Sequence, residues 1–246
     1  MTENAQKAAL VTGASRGIGA AIARRLAGDG FAVAVNYAGR EKDAAAVVAA
    51  IEAAGGRAVA LQADVADPAA VAALFDRTEA AFGVPAVLVN NAGVMELAPV
   101  GESSDALFER MIAVNLKGTF NTLREAARRM GDGGRIINFS SSVVGVKLPS
   151  YGVYAATKAA VEMLSAIFSK ELRGRNITVN TVAPGPTATE LFLTGKTAEQ
   201  VAALAKAPPL ERLGEPEDIA RVTSFLAGPD GGWVNGQTLR TNGGFV

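Results

Sequence analysis

Residues 8–30, AALVTGASRGIGAAIARRLAGDG, decide the fold. The run opens as a short apolar strand, passes through a turn holding Gly13, Gly17 and Gly19, and continues as a helix that ends near Gly30. Glycines in such a turn let backbone amides come close to a pyrophosphate, and the helix that follows offers its positive N-terminal end. The spacing is TGxxxGxG, one residue longer between its first two glycines than GxGxxG. This strand, turn and helix predict a dinucleotide site on Gly13, Ser15, Arg16, Gly17, Ile18 and Gly19.

Outward from this unit, strand-like runs recur with helical patterns between them: FAVAVNY, AVALQADV, AVLVNNAG, RIINFSSS, ITVNTVAPG and, near the end, QTLRTNGG. The central runs are almost wholly apolar, as expected where helices cover both faces of a parallel sheet. The pattern predicts an α/β fold with a doubly wound parallel sheet in one domain spanning 1–246. Ligands in such sheets gather at the carboxyl ends of the strands, and the informative residues fall there. They are TGASRGIG, Asp64, NNAG, the serine triplet and PGPTAT. The segment at about 187–216 breaks the alternation and reads as a partly helical lid that excludes water from a reacting carbon. Its Leu191, Phe192 and Leu193 suit either an apolar substrate or a subunit contact.

Composition narrows the chemistry. Among 246 residues, 49% are hydrophobic, and 24 Lys and Arg balance 24 Asp and Glu. That balance argues against nucleic acid as a partner. No run approaches a membrane span, and MTENAQK lacks the features of a secretory signal, so a cytoplasmic protein is expected. The chain has no cysteine and no histidine, which removes disulfides, thiolate nucleophiles, imidazole bases and most zinc sites; no metal is expected. Proton chemistry falls to Tyr, Lys, Ser, Asp or Glu.

Tyr154 and Lys158 stand one helical turn apart in YAATK, which places a phenol and an ammonium on one face. A nearby cation favours the phenolate and brings the group closer to a useful acid at neutral pH. Tyr151 has no such partner, because Ala155 follows it at the same spacing.

TGASRGIG, NNAG, a serine about a dozen residues before YAATK, and APGPTAT occur in that order over nearly the whole chain. Together they closely resemble the short-chain dehydrogenase/reductase family, and most of all its 3-oxoacyl-[acyl-carrier-protein] reductases and related carbonyl reductases. The resemblance implies a Rossmann-type sheet of seven parallel strands, a nicotinamide cofactor, a small carbonyl or alcohol substrate and usually a homotetramer. It makes Tyr154 the general acid that protonates a carbonyl oxygen, or the base in alcohol oxidation, and gives Lys158 a further hydrogen bond to the nicotinamide ribose. Asn115 matches the asparagine that holds a water in a proton relay. The catalytic serine is Ser141 by its distance from Tyr154 and from the start of the strand, but Ser142 by the Ser-x-x-Gly turn; Ser141 is favoured, and Ser140 is read as loop solvation.

The resemblance also implies adenine contacts at Asp64 and Val65, and places Asn91, Ala92 and Gly93 under the adenosine ribose. Pro184, Gly185, Thr187 and Thr189 would grip the nicotinamide amide and pyrophosphate. The second strand ends in Asn36 and Tyr37, both assigned to the cofactor site, and no acid is there to take ribose hydroxyls. Arg16 and Arg40 are instead set to clamp a 2′-phosphate, so NADP(H) is expected over NAD(H). The competing readings are an NAD-dependent alcohol dehydrogenase of the same fold and a non-catalytic nucleotide-binding scaffold. The C-terminal WVNGQTLRTNGGFV resembles the family's tetramer contacts.

Overall fold

The strands of a computed structural model, which describes residues 6–246, form one seven-stranded parallel sheet in the order β3-β2-β1-β4-β5-β6-β7. The first five residues of MTENAQK, on which the signal-peptide reading bears, lie outside the described residues. The strands are β1 Ala8–Val11, β2 Ala32–Tyr37, β3 Arg57–Gln62, β4 Pro85–Asn90, β5 Arg135–Phe139, β6 Thr178–Pro184 and β7 Thr238–Thr241. Between them run α1 Gly17–Gly28, α2 Glu41–Ala53, α3 Pro68–Phe82, α4 Asp105–Met111, α5 Gly118–Arg129, α6 Val143–Val146 and α7 Gly152–Glu171. After β6 come α8 Glu190–Leu193, α9 Ala198–Lys206 and α10 Pro216–Ala227.

Alternation along each strand explains why the runs look uniformly apolar. Ala9, Val11, Val33, Val35, Val87 and Val89 point to the face covered by α1, α2 and α10, where Ile22, Leu26, Val47, Ile51 and Ile219 meet them. Leu10, Ala34, Leu88 and Ile136 point the other way, toward Leu74 and Phe75 of α3, Leu123 of α5 and Phe168 of α7. Helices cover both faces, and the polar strand residues Asn36, Asn90, Asn138 and Asn180 are buried with hydrogen-bond partners.

The strand order reverses between β1 and β4, which places the loops after them on either side of a crevice at the carboxyl edge. The local chemistry holds those loops. Thr12 Oγ1 accepts from the backbone N–H groups of Asn91 and Ala92, both at 3.1 Å, and Asn91 Nδ2 donates to the carbonyls of Thr12 and Gly13, both at 3.0 Å. The two loops press so close that a Cβ on Gly19 would stand 2.4 Å from the Gly13 carbonyl oxygen and 2.5 Å from Asn91 Nδ2. Gly13 also has φ +61°, a left-handed backbone that favours glycine.

The segment read as a lid forms the short helices α8 and α9. It is tied at its base by a parallel bridge between Thr187 and Gly214. Thr189 caps α8 by accepting from Phe192 N, and Thr197 with Gln200 makes a reciprocal capping box on α9.

Candidate active site

Helix α7 carries Tyr154 and Lys158 to the end of β5. Lys158 is buried, its Nζ donates to the Phe139 carbonyl at 2.9 Å, and it lies 5.7 Å from the centre of the Tyr154 ring. Burial pushes the lysine down to about 8 and pushes the Tyr154 phenol up to about 12, with the Ser141 hydroxyl drawing the phenol part of the way back. The helical spacing alone leads one to expect the neighbouring ammonium to lower the phenol. Here desolvation outweighs any such pull, so at neutral pH Tyr154 holds its proton and is set to donate it.

These values give a pH dependence. A charged Lys158 would stabilise a forming phenolate, so a kcat/KM that depends on proton donation by Tyr154 should be flat through neutrality and fall as pH rises through about 8. Tyr154 stays protonated across that range. A pH–rate profile checks this, and the limb should vanish from the residual activity of Lys158→Met.

The serine triplet divides into three roles. Ser140 is buried and donates to Glu162 Oε1 at 2.6 Å, so its reading as loop solvation is corrected. Ser142 is also buried; its Oγ donates to the Ala183 carbonyl at 3.1 Å and accepts from Asn242 Nδ2 at 2.9 Å. Ser141 faces the pocket beside Tyr154, and its Oγ otherwise accepts only a long 3.4 Å bond from Val143 N. Geometry therefore favours Ser141 as the substrate-facing hydroxyl and Ser142 as an anchor.

Asn115 lies in a π-helical stretch, Ile112–Lys117, between α4 and α5. Such widened turns often occur at functional sites. Its amide is fully engaged: Oδ1 accepts from Val94 N at 2.8 Å, while Nδ2 donates to the Val94 carbonyl at 2.9 Å and Thr157 Oγ1 at 3.2 Å. The side chain thus fastens the loop after β4 to α7. A Cβ on Gly93 would lie 3.3 Å from Asn115 Oδ1 and 3.5 Å from Lys158 Nζ, so the glycine leaves room between Lys158 and the loop.

A groove of about 590 Å³ runs from this point along the crevice. Its walls include Gly13, Ser15, Arg16, Gly17, Ile18 and Gly19, then Asn36, Tyr37 and Arg40, then Asp64 and Val65, then Asn91, Ala92 and Gly93. The glycine-lined cradle with helix α1 behind it fits a dinucleotide. Asn36 is the exception among the assigned side chains. It is buried, and its amide donates to the Leu61 and Ala63 carbonyls at 3.2 and 3.1 Å while accepting from Gly13 N at 3.3 Å. Asn36 nonetheless lines the groove, and its amide ties the turn after β1 to the end of β3.

Pro184, Gly185, Thr187 and Thr189 line an adjoining apolar pocket with Met95, Leu148, Tyr151, Leu191 and Phe192. Tyr151, set aside as lacking a lysine, meets the Tyr154 ring edge-on at 6.5 Å and belongs to the pocket wall. Phe245, near the C-terminus, joins it. Sequence reasoning missed Glu190 altogether: this carboxylate bridges Arg16 and Arg40. Among the described residues no cluster of metal-ligating side chains occurs, and no helix is long and apolar enough to cross a membrane.

Comparison with known proteins adds lineage to this geometry. The family model described as Enoyl-(Acyl carrier protein) reductase matches residues 13–246. A short-chain type dehydrogenase/reductase of Picea abies is 48% identical over 98% of this chain and 92% of its own length. An NADPH-dependent aldehyde reductase-like protein, chloroplastic, of Arabidopsis thaliana is 44% identical over 98% and 95%. The crystal structure of a short chain dehydrogenase from Burkholderia cenocepacia J2315 in complex with NADP superposes with a TM-score of 0.92 at 40% identity, covering 99% of each chain.

Proposed function

The chain belongs to the short-chain dehydrogenase/reductase family, and from that premise we propose that it is an NADPH-dependent oxidoreductase that reduces the carbonyl of a small aldehyde or ketone. The observation that carries the proposal is the placement of Tyr154 with Ser141 and buried Lys158 where the apolar pocket meets the glycine-lined groove. A protonated phenol is the form that donates to a carbonyl oxygen, and the same group would act as the base in the NAD-dependent alcohol dehydrogenase reading. The NADP named with the Burkholderia structure and the NADPH named with the Arabidopsis relative support the choice of cofactor, as do Arg16 and Arg40 on the groove wall.

Arg16, Arg40 and the turn from Gly13 to Gly19 would hold the phosphates, Asp64 and Val65 would flank the adenine, and Gly93 would admit the ribose beside Lys158. When bound, the nicotinamide supplies the hydride. Ser141 and Tyr154 donate hydrogen bonds to the carbonyl oxygen, contacts that strengthen as negative charge develops on it. Tyr154 then gives up its proton, and the Lys158 ammonium, fixed by the Phe139 carbonyl, stabilises the phenolate left behind. Asn115 holds the loop that shapes this corner and would hold a water in a proton relay leading from Lys158. The segment 187–216 would act as a lid that keeps water from the reaction within the single domain.

The pocket of about 140 Å³ is smaller than typical sites for drug-sized ligands, which favours a compact carbonyl or the keto end of a 3-oxoacyl thioester. The aldehyde reductase named above supports the first class. A screen of NADPH oxidation against aldehydes, cyclic ketones, quinones and acetoacetyl thioesters, each beside Tyr154→Phe, tests the proposal; turnover of none would overturn it.

Ser141→Ala is expected to lower kcat/KM roughly 10²-fold through loss of a donor to the developing oxyanion. Ser142→Ala should instead lower stability by about 1 kcal/mol, the scale of a buried hydrogen bond, with far less effect on turnover. Steady-state kinetics and thermal melts of the two variants check the division; equal kinetic losses would contradict it.

A homotetramer completes the proposal. Phe108, Phe120, Met163 and Ile167 on α4, α5 and α7 are exposed, and Trp233 is 98% exposed, which is costly for an isolated chain. The proposed location is cytoplasmic. Light scattering and cell fractionation check the two.

A further inference from the structure

Glu190, the first residue of α8, reaches back across the groove to the two arginines assigned to the cofactor phosphate. Its Oε2 meets Arg16, and its two oxygens accept from Arg40 at 3.0 and 3.3 Å. Arg40 also contacts Asp43 at 3.2 Å. Each guanidinium is partly exposed, and the arginines hold the Glu190 carboxyl below the usual carboxylate range, Arg16 most of all. The carboxylate therefore carries its full charge at neutral pH and neutralises part of the clamp.

On the NADPH reading above, the same guanidinium groups face two anions. A phosphate monoester brings nearly two negative charges and three acceptor oxygens, against one charge and two oxygens for the carboxylate. We propose that Glu190 is a cofactor-specificity residue, a built-in competitor for the 2′-phosphate that ties the first turn of the 187–216 segment to the identity of the bound dinucleotide. NADH presents a hydroxyl at that position and leaves Glu190 on its arginines. NADPH takes the guanidinium groups from it and places like charge beside it, which drives α8 away from the clamp.

The consequence reaches the substrate pocket by the shortest route. Leu191 and Phe192, the next two residues, line that pocket. Thr189, the residue before, packs against the glycine turn, where a Cβ on Gly17 would meet its Cγ2 at 3.4 Å. Helix α8 has only four residues, so a shift of Glu190 moves its neighbours with it. The two cofactors would thus present different pocket walls to the same carbonyl.

Equilibrium titration of the parent, Glu190→Gln and Glu190→Ala tests this, with nicotinamide fluorescence reporting NADPH and NADH and calorimetry reporting 2′,5′-ADP and 5′-AMP. Glu190 is exposed, so neither variant threatens folding. Exposed ion pairs are individually weak, so removal of two should tighten NADPH and 2′,5′-ADP about three- to tenfold, with NADH and 5′-AMP unchanged within about twofold. A parent that prefers NADPH and variants that leave that preference unaltered would overturn the competitor while the cofactor assignment stands. A parent that binds NADPH no tighter than NADH, together with variants that shift neither, would overturn both.

Discussion

NADPH is expected to bind the Arg16→Ala/Arg40→Ala double variant about 100-fold more weakly than the parent, with NADH affinity held within about threefold. Each arginine offers charge-assisted hydrogen bonds to a phosphate, which range from about 1.5 to 3 kcal/mol in general. Both side chains are 40% exposed or more, so solvent screening sets each at the lower end, about tenfold per residue. No neighbour substitutes for them, since Ala38 and Gly39 carry no charge and the Asn36 amide is committed to the strands. Each single variant should lose about tenfold. Fluorescence titration at fixed salt measures all four affinities. Equal losses for the two cofactors would mean that the arginines shape the turn rather than read the phosphate.

The fold was legible because its signals are local. A strand, a glycine turn and a helix at 8–30 announce the first half of the sheet, and the other apolar runs follow from burial on both faces. Their ends were not legible. AALVTG and AVLVNNAG read two or three residues past Val11 and Asn90, since small and polar residues continue the strand path after sheet pairing has stopped. Nothing in AVNLKG predicts a π-helical turn, which depends on how Asn115 is bound across to Val94 and Thr157.

At the site, motifs within one element were readable and contacts across the fold were not. Tyr154 and Lys158 share a helix face, and their spacing alone brings them together. Arg40 and Glu190 lie 150 positions apart, and no periodicity links them. Asn36 lines the groove, and its amide also ties the turn after β1 to the end of β3, a demand of buried backbone that residue type does not reveal. The acidity of Tyr154 escapes the sequence for a related reason: a neighbouring charge is visible there, whereas desolvation is not.

Tyr154→Phe is expected to lower kcat by roughly 10²–10⁴, the span of a lost general acid. The change removes one oxygen and keeps the ring, so its edge-on contact with Tyr151 and the packing of α7 should persist. Lys158 would remain on the Phe139 carbonyl, and the groove from Gly13 to Gly93 would be untouched. The loss should therefore fall on turnover and leave NADPH affinity alone. A structural role would instead weaken both, and would show as a lower melting temperature.

The decisive measurement is the rate of NADPH oxidation at saturating cofactor by the parent and Tyr154→Phe, with the best carbonyl substrate from the screen, alongside the NADPH dissociation constant of each. The account predicts equal dissociation constants and a rate at least roughly 100-fold lower in the variant. A variant that consumes the carbonyl as fast as the parent would contradict it.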